Sequence, residues 1–127
     1  MPKLKDGHYV DPYDNEVWVQ DGAYHREDGP AVKSANGTNF WYRKGEQHRE
    51  DGPALIQMNT TRVWYRNGKK HRLDGPAVIW STGDIQYWIE GVEVSGIPEV
   101  LYNIEIQKNK RVRIERWKNK HRKVDAT

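Results

Sequence analysis

A seven-residue segment, His-Arg-x-Asp-Gly-Pro-Ala, occurs three times at a constant step of 23 residues, and no other feature of the chain restricts its fold as much. It stands at 25–31, 48–54 and 71–77, with Glu27, Glu50 and Leu73 at the variable place. The same step relates Trp18, Trp41, Trp64 and Tyr87, and again Gly22, Gly45, Gly68 and Gly91. No insertion breaks the register. A period of roughly 20–50 residues marks an array of small units, each unable to bury its apolar side alone.

Each unit reads as a β-hairpin. Residues 54–57 and 77–80 form short strands opened by the Gly-Pro step. Residues 35–38 and 81–84 supply the turns that follow, where Asn36-Gly37 and Gly83-Asp84 favour positive φ. Return strands at 40–43, 63–66 and 87–89 are rich in the aromatics that strands favour. Lys44-Gly45, Asn67-Gly68 and Glu90-Gly91 then turn the chain again, while Pro30, Pro53 and Pro76 fall at strand starts, where proline is tolerated. A partial unit precedes these over 9–26, turning at Asp14-Asn15. The expectation is a mainly β protein of stacked antiparallel β-hairpins forming one elongated twisted sheet. In it the column Trp18, Trp41, Trp64, Tyr87 and the column Val19, Tyr42, Tyr65, Trp88 lie on opposite faces, as strand neighbours do. Only 24 of the 127 residues are Leu, Ile, Val or Phe, a share that by itself marks disorder. Six Trp, seven Tyr and a net charge of only +3 argue instead for a folded chain with a thin, aromatic core.

The period of 23, the paired strands and the Trp-Tyr-x-x-Gly spacing resemble MORN repeats. The longer form Trp-Tyr-x-x-Gly-x-x-His-Arg-x-Asp-Gly-Pro-Ala, read at 41–54 and 64–77, is similar to the MORN-like variant of bacterial antitoxin-type (YwqK-like) proteins and of phage and giant-virus proteins. The resemblance covers residues 8–94. It departs after Gly91, where Val94-Ser95-Gly96 replaces the expected His-Arg-x-Asp-Gly-Pro. It implies a 23-residue MORN-like hairpin array over 1–94 and a basic C-terminal cap segment over 95–127. It also implies interaction or scaffolding rather than catalysis, in a phage or bacterial protein that binds and neutralises a toxin or host defence protein.

The cap is expected to be a short helix, a hairpin, or both. Ser95, Pro98 and Glu99 read as a helix start, with Val100, Leu101 and Ile104 on one face. Ile104/Ile106 and Val112/Ile114 then alternate in period two, which a hairpin turning at 108–110 fits better. The charge changes here too. Residues 1–107 carry 12 Lys or Arg and 16 Asp or Glu, whereas 108–123 carry nine Lys or Arg against the single acid Glu115. Lys108, Lys110, Arg111, Arg113, Arg116, Lys118, Lys120, Arg122 and Lys123, interleaved with Trp117, suit phosphate contact beside a stacking ring. The same residues also suit a solvated edge that blocks sheet-to-sheet pairing.

The cassette itself reads as structure. Equivalent atoms of His25, His48 and His71 sit ~10 Å apart if each unit adds two strands, too far for one metal ion with ligands at ~2 Å. Asp28, Asp51 and Asp74 are expected to cap their turns or pair with an arginine. Gly29, Gly52 and Gly75 are expected in a conformation closed to other residues, followed by a proline that sets φ. A site needs one special copy, whereas a structural unit needs all of them. The chain has no Cys, no Gly-rich phosphate loop and no nucleophile motif, so no enzyme activity and no cofactor or metal are expected. The opening MPKLKDGHYV holds no apolar stretch of a secretory signal, and no run is long enough to span a bilayer; a cytoplasmic protein, in the host cytoplasm if viral, is expected. Its expected partner is a protein, met on the sheet by Trp41, Tyr42, Trp64, Tyr65 and Trp88. Nucleic acid bound through 108–123 is the alternative, and association through open sheet edges is also open.

Overall fold

The computed structural model of the chain describes residues 3–95 and 110–123. It opens with β1 (Gly7–Val10) and β2 (Glu16–Gln20), paired antiparallel with His8 opposite Trp18 and Tyr9 opposite Val17. Asp11 shapes the loop between them, its Oδ1 accepting the N–H groups of Tyr13 and Asn15. β3 (Ala23–Tyr24) then folds back on the second half of β2.

The next units repeat this plan. β4 (Val32–Lys33) lies between β2 and β5 (Asn39–Phe40). β8 (Leu55–Ile56), β9 (Arg62–Val63), β12 (Val78–Ile79), β13 (Ile85–Ile89) and β14 (Val92–Val94) continue the ladder. The result is a ten-stranded sheet ordered β1-β2-β4-β5-β8-β9-β12-β13-β14, with β3 against β2. Two ribbons stand beside it: β6 (Tyr42–Arg43) with β7 (Glu46–Gln47), and β10 (Tyr65–Arg66) with β11 (Lys69–Lys70). The period is visible in the register, which pairs Val19 with Tyr24, Tyr42 with Gln47, Tyr65 with Lys70 and Trp88 with Glu93. Each of these hairpins turns on two residues of positive φ: Asp21-Gly22, Lys44-Gly45, Asn67-Gly68 and Glu90-Gly91. That is the turn whose twist matches the strands it joins.

The sequence suggests unbroken return strands over 40–43 and 63–66, but the structure divides both at a tryptophan. Phe40 pairs with β4 and β8, whereas Tyr42 pairs with β7. Trp41 stands at the exchange, donating its N–H to the Ala54 carbonyl at 2.7 Å and accepting the His48 N–H at 3.1 Å. Val17, Val19 and Val32 pack with Tyr9, Tyr24, Phe40 and Tyr42. Since Phe40 and Tyr42 share this cluster, Trp41 between them faces the other way. Ala31, Ala54 and Ala77 are fully buried, so the cassette's last residue is small because no room remains.

The far end corrects the second strand of the hairpin expected to turn at 108–110; the first strand, at Ile104 and Ile106, lies outside the described residues. Val112 and Ile114 lie in a helix, α1 (Lys110–His121), instead of a strand. Two alternating apolar residues cannot outweigh a segment of Lys, Arg and Glu, which are good helix formers. Lys118, Lys120 and His121 in its last turn also favour the helix dipole. Contacts one turn apart reinforce it: Glu115 pairs with Lys118 at 3.0 Å, and the Trp117 and His121 rings stack at 4.3 Å. Trp117 packs on a second cluster built around Ile89 and Val94. Beyond α1, Arg122 bridges Val94 and the Lys123 N–H reaches the Glu93 carbonyl at 2.9 Å, which covers part of the β14 edge. The helix start expected from Ser95, Pro98 and Glu99, with its face of Val100, Leu101 and Ile104, falls largely at 96–109, outside the described residues.

Ile89 is completely buried at this junction. Ile89→Ala is therefore expected to cost about 2–5 kcal/mol, read from urea unfolding, and to weaken Trp117 packing, read from tryptophan fluorescence. A loss within experimental error would place the helix away from the sheet.

Candidate functional site

The three cassettes have the same geometry. Arg49 lies over the Trp41 ring at 4.2 Å, its Nε donates to Asp51 at 3.0 Å, and its Nη1 donates to the Pro53 carbonyl at 3.0 Å. Arg26 does the same with Trp18, Asp28 and Pro30 at 3.8, 2.8 and 3.1 Å. Arg72 repeats it with Trp64, Asp74 and Pro76 at 3.9, 2.8 and 3.1 Å. The Asp pairs with an arginine, as the sequence reading allowed; Arg26 holds the Asp28 carboxyl below its ordinary range through that hydrogen bond and its charge.

The glycines require a correction. Gly29, Gly52 and Gly75 are absent from the residues of positive φ, so a left-handed backbone does not explain them. Space does. A Cβ on Gly52 would meet Arg49 Cζ at 3.0 Å, and at Gly29 and Gly75 the same contact is 2.9 Å. The guanidinium is thus held between an indole face and a glycine Cα.

Each histidine joins its unit to the next. Nδ1 of His25, His48 and His71 accepts the backbone N–H of Lys44, Asn67 and Glu90, at 3.0, 2.9 and 3.0 Å. A ring that accepts at Nδ1 carries its proton at Nε2. In the first two copies Nε2 faces Glu27 at 2.9 Å and Glu50 at 2.7 Å. The bond from His48 lowers Glu50 below the usual carboxylate range, against partial burial, with help from His48, Arg66 and Arg43 nearby. Among the described residues, no group of three or more His, Asp or Glu is placed to hold a metal ion.

The aromatic columns are largely engaged within the chain. Trp41 and Trp64 lie under arginines, Trp88 lies 4.5 Å from Lys70 Nζ and donates Nε1–H to Gln86, and Trp18 stacks on His8 at 4.1 Å besides Arg26. Tyr42 and Tyr65 are half-buried, and burial pushes both phenols up.

The basic residues divide. Lys108 lies outside the described residues, and Lys110, Arg111 and Arg113 belong to the first turns of α1. Lys118 is buried between Glu90 at 3.3 Å and Glu115, and Lys123 pairs with Glu93 at 3.3 Å, so both dock the segment. Arg116, Lys120 and Arg122 are exposed, and Trp117 is covered by His121. Sequence reasoning missed Arg26, Arg49 and Arg72, although their presence in every cassette was the signal that could have found them.

Two experiments test this geometry. Gly52→Ala should cost about 1–3 kcal/mol by overpacking, and Arg49→Lys should also destabilise because an ammonium cannot keep two directed bonds and a stacked plane. In the Arg49→Ala background the glycine penalty should disappear, giving a coupling of about 0.5–3 kcal/mol in a double-mutant cycle; additive losses would contradict the wedge. Separately, the lowered Glu50 carboxyl adds stability that is present above the ordinary range near ~4.3 and lost as pH falls through its folded value. Wild type should melt above Glu50→Gln at neutral pH, and the gap should close with acid. A gap constant between about pH 7 and pH 3 would contradict the assignment.

Comparison with protein-family models, with curated proteins and with solved structures gives no match to this chain.

Proposed function

We propose that the chain is a non-enzymatic, MORN-like interaction module that binds a protein partner and neutralises a toxin or host defence protein in the cytoplasm. The observation that carries this reading is repetition of use. The cassette's His, Arg and Asp, the residues best equipped for chemistry, make the same intramolecular contacts in each copy. Such an array serves as a rigid support for a recognition surface. A second reading, nucleic-acid binding through 108–123, draws on Arg116, Lys120 and Arg122, which remain exposed around α1.

Affinity capture with the full chain, with and without nuclease, separates the two. The expected result is one defined protein, recovered regardless of nuclease, that re-forms a stoichiometric complex from purified components. His48→Ala should bind that protein in proportion to its folded fraction; lost binding at unchanged melting temperature would overturn the structural role of the cassette. Nuclease-sensitive recovery would favour the second reading. Changing Arg111, Arg113 and Arg116 to Glu should then abolish RNA binding, and wild-type affinity should fall with salt at a log–log slope of about −0.7 per neutralised phosphate.

A further inference from the structure

Trp80 differs from the other five tryptophans. Trp18, Trp41, Trp64, Trp88 and Trp117 each have a cation or a ring against them. Trp80 has neither among the described residues, and 42% of it is exposed. The repeat does not ask for an aromatic here: one, two and three units earlier the position holds Gln57, Ser34 and Asp11. Ile85, the first residue of β13 just after the 80–84 turn, is 49% exposed where earlier units have Arg62, Asn39 and Glu16. A single exposed apolar residue is ordinary. Two departures from polar to apolar in the last unit, on either side of one turn, have no structural account.

Both residues line an open depression of about 760 Å³ between the 57–61 loop, the 80–84 turn and the start of β13. Its remaining lining is mostly neutral and rich in hydrogen-bonding groups. Asn59 Oδ1 accepts the Thr61 N–H and Gln86 Oε1 accepts Trp88 Nε1–H, so each amide keeps its NH₂ donors for other use. Asp84 accepts Thr82 Oγ1 at one carboxylate oxygen, which leaves the second as an acceptor. Gln57 adds another amide. Lys123, the cation of the lining, is paired with Glu93, and Asp84 leaves the wall acidic. An acidic wall disfavours phosphate and therefore nucleic acid.

We propose that this depression is a carbohydrate-binding site for a neutral sugar. The exposed indole face packs against the C–H face of a pyranose ring, while the amide groups of Asn59 and Gln86 and the carboxylate of Asp84 hold its hydroxyls. An aromatic platform with a few directed polar groups is the general form of a small-ligand site. This site is separate from the protein-binding reading and does not depend on it.

The test applies the full chain to an immobilised array of neutral, sialylated and sulfated glycans, followed by calorimetric titration of the soluble oligosaccharides that are retained. Neutral glycans should be retained, and affinity should fall at least tenfold in Trp80→Ala and several-fold in Asp84→Asn, with Trp80→Phe keeping more than Trp80→Ala. Trp80 is more than half covered, so Trp80→Ala is expected to melt below wild type and its affinity is read well below its transition. Asp84→Asn, at an exposed position, should melt with wild type and carries the comparison if Trp80→Ala fails to fold. No retained glycan, equal affinity in the variants, or preference for sialylated or sulfated glycans would each overturn the proposal. Loss of a protein partner in Trp80→Ala without any glycan binding would assign the depression to that protein instead.

Discussion

In each cassette a guanidinium lies between the indole face of its own unit and a glycine Cα, while its N–H groups reach a carboxylate two residues on and a proline carbonyl four residues on. Four side-chain choices follow from that one placement. The ring must be broad and π-rich, and the cation must be planar with a fork of donors, which lysine lacks. The neighbouring residue must lack a Cβ, and the acid must be short enough to close back over two residues. The proline, its carbonyl already engaged, then leads into the strand that begins two residues on. A sheet with so few aliphatic residues gains from this contact the rigidity that a second layer of structure would otherwise provide.

The histidine carries order from one unit to the next. Its backbone N–H bonds the tryptophan carbonyl of its own unit, and its Nδ1 receives the turn of the following one. Stability in such an array is a sum of units and interfaces between neighbours, so the ends need special treatment. At the first unit His8 stacks on Trp18 and pairs with Glu16 at 2.6 Å; residues 2–8, one period before the first cassette, do not repeat it. At the last unit Trp117, Lys118 and Arg122 come back to β13, Glu90 and β14. The basic segment is thus partly a cap, with Lys118 and Lys123 held by acids of the array.

Much of the array was legible because its signals are local. A two-residue turn of the form x-Gly, an alternating aromatic strand and a Gly-Pro step each act within a few residues, and repetition multiplied each signal. The site was less legible. The histidines and aspartates were expected to be structural, but the arginine between them drew no attention, since its ring partner lies eight residues before it and its role depends on stacking. The glycine was assigned a backbone conformation when its cause was a neighbouring side chain. The C-terminal hairpin failed for a related reason: Val112 and Ile114 are compatible with either period, and the choice lay with Trp117 finding Ile89 and Val94.

The sequence by itself determined the period, the hairpins, their turns and the place where repetition ends, because each follows from backbone preferences inside one 23-residue unit. Only the tertiary structure decided which side chains meet: that Trp18, Trp41 and Trp64 face arginines, that the return strands change partners at Trp41 and Trp64, that Lys118 is buried, and that Trp80 is left open. Those outcomes depend on distances between residues of different strands, and such distances exist only after the units have stacked.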